Sequence, residues 1–340
     1  MKTGGDVPPR TLAPSGTVFN HNFYIFGGQH GDETEDIDEG NNNRICKLNL
    51  VTFQWTQISP KSYEILPLPC EKSLMAAYDK YLYVFGGYGD PPKSFKNYPI
   101  QPKFHSDQSS HYEWPRGWIG NLNRFDFKTL KWEFLKSGPS PRAGHTGDVW
   151  NNLWIIFGGC GSSGRLNDVH AFDFQTLTWH CLDQGFRPPL HYYLDRNHAG
   201  SVINDNGVYY PEPRSVPSFN LIQKNDEMAK FFMYGGIGML NTPLNDAWIL
   251  EVHPDLSISW NPYPLPYDHG PIRAWHGSCY VEPQLIIHSG KWSKSFSKAK
   301  SAKYDSTRHD PSYSAVSNTR IGLNNNIGGG FSLKKIKIQT

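Results

Sequence analysis

PRAGHTGDVWNNLWIIFGGCGSSGRLNDVHAFDFQTLTW, residues 141–179, holds one whole unit of a pattern that recurs along the chain. Its centre is an apolar run ending in a double glycine, LWIIFGG at 153–159. A second apolar run follows, DVHAFDF at 168–174, and then Trp179. Outward from it, FYIFGG (23–28), YLYVFGG (81–87) and FFMYGG (231–236) copy the first element, and LIIHSG (285–290) copies it weakly. RICKLNL (44–50), NLNRFDF (121–127) and DAWILEV (246–252) copy the second, and Trp55, Trp132 and Trp260 the third. A start of the Arg-x-x-His kind stands before several units, in PRAGH (141–145), RNH (196–198) and IRAWH (272–276).

Each part has a physical reason. Short apolar runs bounded by turn residues read as buried strands. A repeat of about 50 residues plus insertions is the signature of a propeller, whose blades are four-stranded sheets packed face to face around an axis. The double glycine lets the chain leave strand two where a side chain would clash, and permits positive φ. The tryptophan of strand four fills the wide outer gap between blades. The expected fold is therefore all-β, a propeller with four complete blades at 12–58, 72–135, 143–182 and 198–262. A partial fifth follows at 274–281 and 284–289, as in an incomplete six-bladed propeller. The propeller is placed at 8–295; 296–340 is polar, low in complexity and expected to be disordered.

Composition narrows the function. Eleven Trp, 18 Tyr, 32 Gly and 26 Pro suit strands and tight turns, and a net charge of +2 gives no reason to expect nucleic acid. Charge is nonetheless uneven: 32–39 carries six acids, and Lys291, Lys294, Lys298, Lys300 and Lys303 form a basic stretch, both read as solvated loops. The five cysteines are widely spaced without a CxxC pair, so neither zinc nor a disulfide framework is expected. No apolar run approaches the ~18 residues of a membrane span. The opening residues have no signal-peptide core, so a cytoplasmic or nuclear setting is the expectation.

The units resemble the kelch repeat. GDVPP (5–9), FGGYG (85–89), PRGW (115–118), PRAGH (141–145), RLNDVH (165–170) and IRAWHGSC (272–279) further resemble the kelch domain-containing proteins 1 and 2. That resemblance implies a substrate receptor of a cullin-RING ubiquitin ligase, which recognises a free protein C-terminus, typically a diglycine, as a degron. Its partners would be a protein or peptide C-terminus, a ligase adaptor and a cullin. Two features of that family find no counterpart here, a blade before GDVPP and a leucine-rich helical docking segment. A non-ligase scaffold or adaptor binding through the same loops is the alternative.

Strand alternation sorts the loops. Links between strands two and three (29–43, 88–120, 160–167, 237–245) share one end with links between blades (59–71, 136–142, 183–197, 262–273), and the long 88–120 insertion marks a binding rim. The insertion 204–229 is placed on the opposite end, between strands one and two. Arg142, Arg165, Arg196 and Arg273 gather on the first end, where guanidinium forks suit a carboxylate. Tyr88 and Trp275 are candidate walls and Lys93 a further rim cation. By the resemblance, Arg165 is one of two arginines that clamp a terminal carboxylate. The other position holds Cys160, and a family serine falls at Arg196 or Asn197. No cofactor or metal is expected: His145, His198 and His276 repeat by blade position, and His105, His111 and His191 have no second ligand at useful spacing. Asp126 and Asp173 also recur by repeat. Glu251 and Asp255 begin an iron-type run that ends in Ser259 instead of histidine. No nucleophile elbow, P-loop or dinucleotide fingerprint is present, and a non-enzyme is expected.

Overall fold

A computed structural model describes residues 2–30, 40–61, 66–92, 102–109, 115–136, 138–188, 200–204, 207–265 and 274–288, and the backbone of 333–337. The fold is all-β, built as a kelch-type propeller from small antiparallel sheets. The first comprises Ser15–Phe19, Asn22–Phe26, Ile45–Asn49 and Gln54–Ile58, with Gly4–Gly5 added in parallel at its outer edge. The second comprises Leu74–Tyr78, Tyr81–Phe85, Leu122–Asp126 and Lys131–Leu135. The third runs Thr146–Trp150, Leu153–Gly161, Gly164–Asp173 and Thr178–Asp183. The fourth runs Ser218–Lys224, Ala229–Tyr234, Ala247–Val252 and Ile258–Pro262.

Two expectations need correction. The fourth sheet begins at Ser218, not near 198. The true start motif is PRSVPS at 213–218, in which Pro217 stands where PRAGH has His145, and that substitution hides the repeat. The stretch 184–217 is consequently a link between sheets, carrying its own hairpin of Ser201–Ile203 with Tyr209–Pro211. It is not an excursion between strands one and two, which are joined by a short turn at 225–228. The fifth sheet, Gly277–Val281 with Gln284–His288, gains Leu333–Lys337 as a third antiparallel strand. That strand falls within the expected tail, where two isoleucines, Ile336 and Ile338, alternate with lysines too briefly to read as a strand. The rest of 296–340 lies outside the described residues.

Packing follows from the two-residue period of a strand. The first strands of successive sheets lie side by side in chain order. Alternate residues of each second strand then face alternate neighbours. Tyr24 and Phe26 meet Leu82 and Val84, and Tyr83 and Phe85 meet Trp154 and Ile156. Ile155 and Phe157 meet Phe231 and Met233, and Phe232 and Tyr234 meet Leu285 and Ile287. This explains why those runs read as continuously apolar. The repeated tryptophans close the outer gaps: Trp132 packs on Phe26, Trp179 on Phe85 and Trp260 on Phe157, at centroid distances of 5.6, 4.9 and 5.1 Å.

The outward face of the first sheet is the exception. Phe23 and Ile25 are half-buried and Val18 is 61% exposed. Their register equivalents in later sheets, such as Leu82, Val84, Trp154 and Ile156, are at most 1% exposed. Ile156→Val should cost about 0.5–1.5 kcal/mol. Ile25→Val, at the equivalent position, should cost clearly less; equal shifts of the urea midpoint would show that this face is packed in solution.

The double glycines tie one sheet to the next. Gly28, Gly87 and Gly159 each donate an N–H to a carbonyl of the following sheet's start motif, on Cys70, Arg142 and Arg214, at 2.7, 2.9 and 2.9 Å. The preceding glycines have φ of 62–69° at these three positions, and a Cβ on Gly86 or Gly158 would meet that carbonyl oxygen at 2.6 or 2.8 Å. A second set of links circles the axis. Lys72 N–H donates to Ala13 O, Gly144 N–H to Lys72 O, and Val216 N–H to Gly144 O, at 2.9, 2.8 and 2.7 Å. All four residues, and Trp275 at the same position of the fifth sheet, hold φ between 49° and 62°. The left-handed conformation turns each chain from the link into its inner strand while keeping this backbone chain intact.

Candidate functional site

Both sets of loops expected at one end do meet there. Cys70–Glu71, from a link between sheets, pairs with Tyr88–Gly89, from a link between strands two and three. Gly117–Ile119 and Phe104–Ser106 extend that pair into a four-stranded loop sheet over the second blade. Thr11–Leu12 with Gln29–His30, Ala143 with Cys160, and Ser215 with Ile237 repeat the pairing elsewhere.

This loop sheet gathers a buried charged cluster. Lys72 Nζ lies 2.6 Å from Glu71 Oε1, and Arg116 Nη2 lies 3.8 Å from the same oxygen. The side chains are 11%, 5% and 1% exposed. Tyr88 sits against both cations, with its ring centroid 5.1 Å from the Arg116 guanidinium and 6.0 Å from Lys72 Nζ. Its hydroxyl donates to Asp107 Oδ2 at 2.9 Å, and its ring packs edge-on to Trp118. Trp275 also packs against Lys72, its ring centroid 5.4 Å from Nζ. Residues of the second and fifth sheets thus meet at the axis. Burial lowers the Lys72 pKa, opposed by the Glu71 charge and hydrogen bond and reinforced by Arg116; Cys160 also acts on it electrostatically, in the raising direction.

Cys160 leads to the third cation. It is the register partner of Arg165 across the third sheet's long hairpin. Arg165 is 3% exposed, and its Nη2 donates to Asn241 Oδ1 at 2.7 Å.

Arg142 takes a different part from the one expected of it. It is 1% exposed, and its guanidinium donates to Asp168 Oδ1 and Oδ2 at 2.7 and 2.8 Å, to Gly158 O, and to Ser140 O and Oγ. It is a strand clamp with no fork left to offer a ligand. Arg214 repeats the arrangement in the fourth sheet, with both Asp246 oxygens at 2.7 Å and the carbonyls of Glu212, Gly200 and Gly235. Arg273 shares their sequence position; with Arg196 and Lys93 it lies outside the described residues, as does His198. Tyr88 and Trp275 do come together around Lys72, though Tyr88 is only 1% exposed and so is more support than wall.

Sequence reading missed Lys72, Glu71, Arg116 and Asn241 as site residues. Arg116 lies inside the PRGW motif, and Lys72 occupies the position of Gly144, so an exact alignment of the units would have raised both. Asn241 has no local signal. Among the described residues no cluster of three His, Cys, Asp or Glu is placed to hold a metal ion.

Known proteins share this pattern. Residues 112–211 match a family described as the KLHDC2/KLHL20/DRC7 Kelch-repeats domain. Mouse kelch domain-containing protein 1 is 29% identical over 300 residues, covering 84% of this chain and 63% of that protein. Human kelch domain-containing protein 2 is 30% identical over 300 residues, covering 85% and 63%. An F-box/kelch-repeat protein of Arabidopsis thaliana is 30% identical over 179 residues, covering 51% and 33%. The chain therefore spans 63% of the length of the two kelch domain-containing relatives. With its double glycines, blade-closing tryptophans and start motifs all in place, this chain is a kelch-repeat protein homologous to kelch domain-containing proteins 1 and 2.

Proposed function

We propose that this chain is a non-catalytic receptor for the C-terminal end of partner proteins, serving as the substrate-binding part of a ubiquitin ligase. Membership of the kelch repeats supports protein binding as such. The observation that carries the finer reading is the grouping of Lys72 and Arg116 about the buried carboxylate of Glu71, on the same loop end as Arg165. A loop end that gathers basic side chains favours the arrival of a carboxylate. Low dielectric strengthens such an attraction, and a charge-assisted hydrogen bond is about twice as strong as a neutral one. Trp275, half-buried beside Lys72, offers apolar surface for the residues preceding the terminus. A ligase adaptor and cullin would be the further partners, as the resemblance implies.

The test is binding of fluorescent peptides ending in Gly-Gly, with a free carboxylate or an amide. The free acid should bind at least tenfold more tightly, and Arg165→Ala should remove that preference, since a charge-assisted contact contributes about 1.5–3 kcal/mol. Equal binding of acid and amide would favour a scaffold that grips partners without reading their ends.

A further inference from the structure

The loop sheet over the second blade is organised around one aspartate. Asp107 follows the strand Phe104–Ser106, and its backbone N–H donates to Arg116 O at 2.7 Å, closing the pair with Gly117–Ile119. Its Oδ1 accepts the Ser109 N–H and hydroxyl at 3.0 and 2.7 Å, so the carboxylate is oriented by its own turn. Its Oδ2 accepts the Tyr88 hydroxyl at 2.9 Å. One residue therefore grips the main chain of Arg116 and the side chain of Tyr88.

Tyr88 stands inside the charged cluster. It is the register partner of Glu71 on one side and of Trp118 on the other. Its ring is buried and lies within cation–π range of both Arg116 and Lys72. A hydroxyl that donates to a carboxylate does two things for such a ring. It fixes the ring in place, and it polarises the phenol so that more electron density sits on the π face, which strengthens the pull on a cation. The influence of Asp107 thus reaches both cations through the ring.

We infer that Asp107 is a positioning residue of the candidate carboxylate site: it holds the Tyr88 ring on which Lys72 and Arg116 rest, and so sets how strongly the site prefers a free terminus to a capped one. The inference rests on the receptor reading above. Long cationic side chains lose rotamer freedom when a ligand fixes them, and a ring that already orients them reduces that loss. Such orientation favours a carboxylate over an amide, because a charge-assisted contact is stronger than a neutral one and gains more from good geometry.

The ratio of free-acid to amidated affinity, measured on the full chain with the Gly-Gly peptides above, reads this directly. Asp107→Ala removes the acceptor and should lower the ratio about three- to tenfold, as should Tyr88→Phe, which keeps the ring and loses the hydroxyl. In the Tyr88→Phe background Asp107→Ala should change the ratio by about twofold or less, because the two residues act through one bond. Asp107→Asn, whose amide N–H can donate to the Tyr88 hydroxyl oxygen, should keep most of the wild-type ratio. Urea midpoints confirm that each variant is folded. Independent losses that multiply in the double variant would overturn the positioning role. So would a rise of the ratio in both Asp107→Ala and Asp107→Asn, which would mean that Asp107 is felt only as a negative charge. If Arg165→Ala abolishes the acid preference while Asp107→Ala keeps the wild-type ratio, the positioning role is overturned and the receptor reading survives. If Arg165→Ala itself keeps the ratio, the receptor reading fails, and this inference with it.

Discussion

Arg142→Ala and Arg214→Ala should each lower the unfolding free energy by about 3–5 kcal/mol, the usual cost of breaking a buried ion pair from one side. Each deletion takes the bidentate cation from an aspartate, 13% exposed at Asp168 and 20% at Asp246, and removes the donor that served the strand carbonyls; His170 and Trp248 still donate to the two carboxylates. At Asp168 burial pushes the carboxyl pKa up, but hydrogen bonds from His170 and Arg142 outweigh it and hold the value at about 2. Removing Arg142 returns that group toward the neutral acid. Lysine at either position restores charge but not the planar fork, so Arg142→Lys should recover only part of the loss. Urea midpoints at pH 7 measure this. A change below about 1 kcal/mol, the range of an exposed ion pair, would mean that the clamp is not formed in solution. Arg142 would then return to the list of candidate ligand contacts.

The second large effect is acid sensitivity centred on His145. The ring is 5% exposed and packs edge-on to Phe85. Burial, reinforced by the Arg142 charge and opposed by Asp168, lowers its pKa from 6.5 to about 3. A folded-state pKa below the unfolded one means that the unfolded chain takes up the proton first. Stability is therefore full above pH ~6.5 and falls as pH drops toward 3, by close to a tenfold change in the folding equilibrium per pH unit. Asp168 acts in the same direction lower down. Its carboxyl is depressed, so its contribution is complete above the unfolded value of ~3.9 and is lost as pH falls through about 2. Urea midpoints between pH 7.5 and 4.5 should thus fall steeply for the wild type and more gently for His145→Leu, which cannot titrate. Parallel curves for the two proteins would place the acid-sensitive group elsewhere.

Much of this was legible in the chain. The double glycines, the second strands and the tryptophans identified the blades because each is a local device, a few residues long and repeated. Errors came where a unit departed from its own pattern. Pro217 in the place of a histidine concealed the fourth blade's start and drew the boundary to RNH at 196–198. Leu333 and Ile336, set among lysines near the end, concealed the fifth sheet's third strand.

At the candidate site the division is sharper. The sequence by itself placed Arg142 in a recurring start motif and Arg165 in the link between strands two and three of one blade. It could not determine which partners each of them would find. Arg142 finds its aspartate 26 residues away, Arg214 finds its own 32 residues away, and Arg165 finds an asparagine 76 residues away in another blade. Likewise Lys72 meets Trp275 only because the blades bring the second and fifth sheets together at the axis. Backbone pattern is written locally, by side-chain period and by the few residues able to adopt positive φ. The partner of each buried arginine depends on what only the packing of strand against strand and blade against blade brings within hydrogen-bond distance.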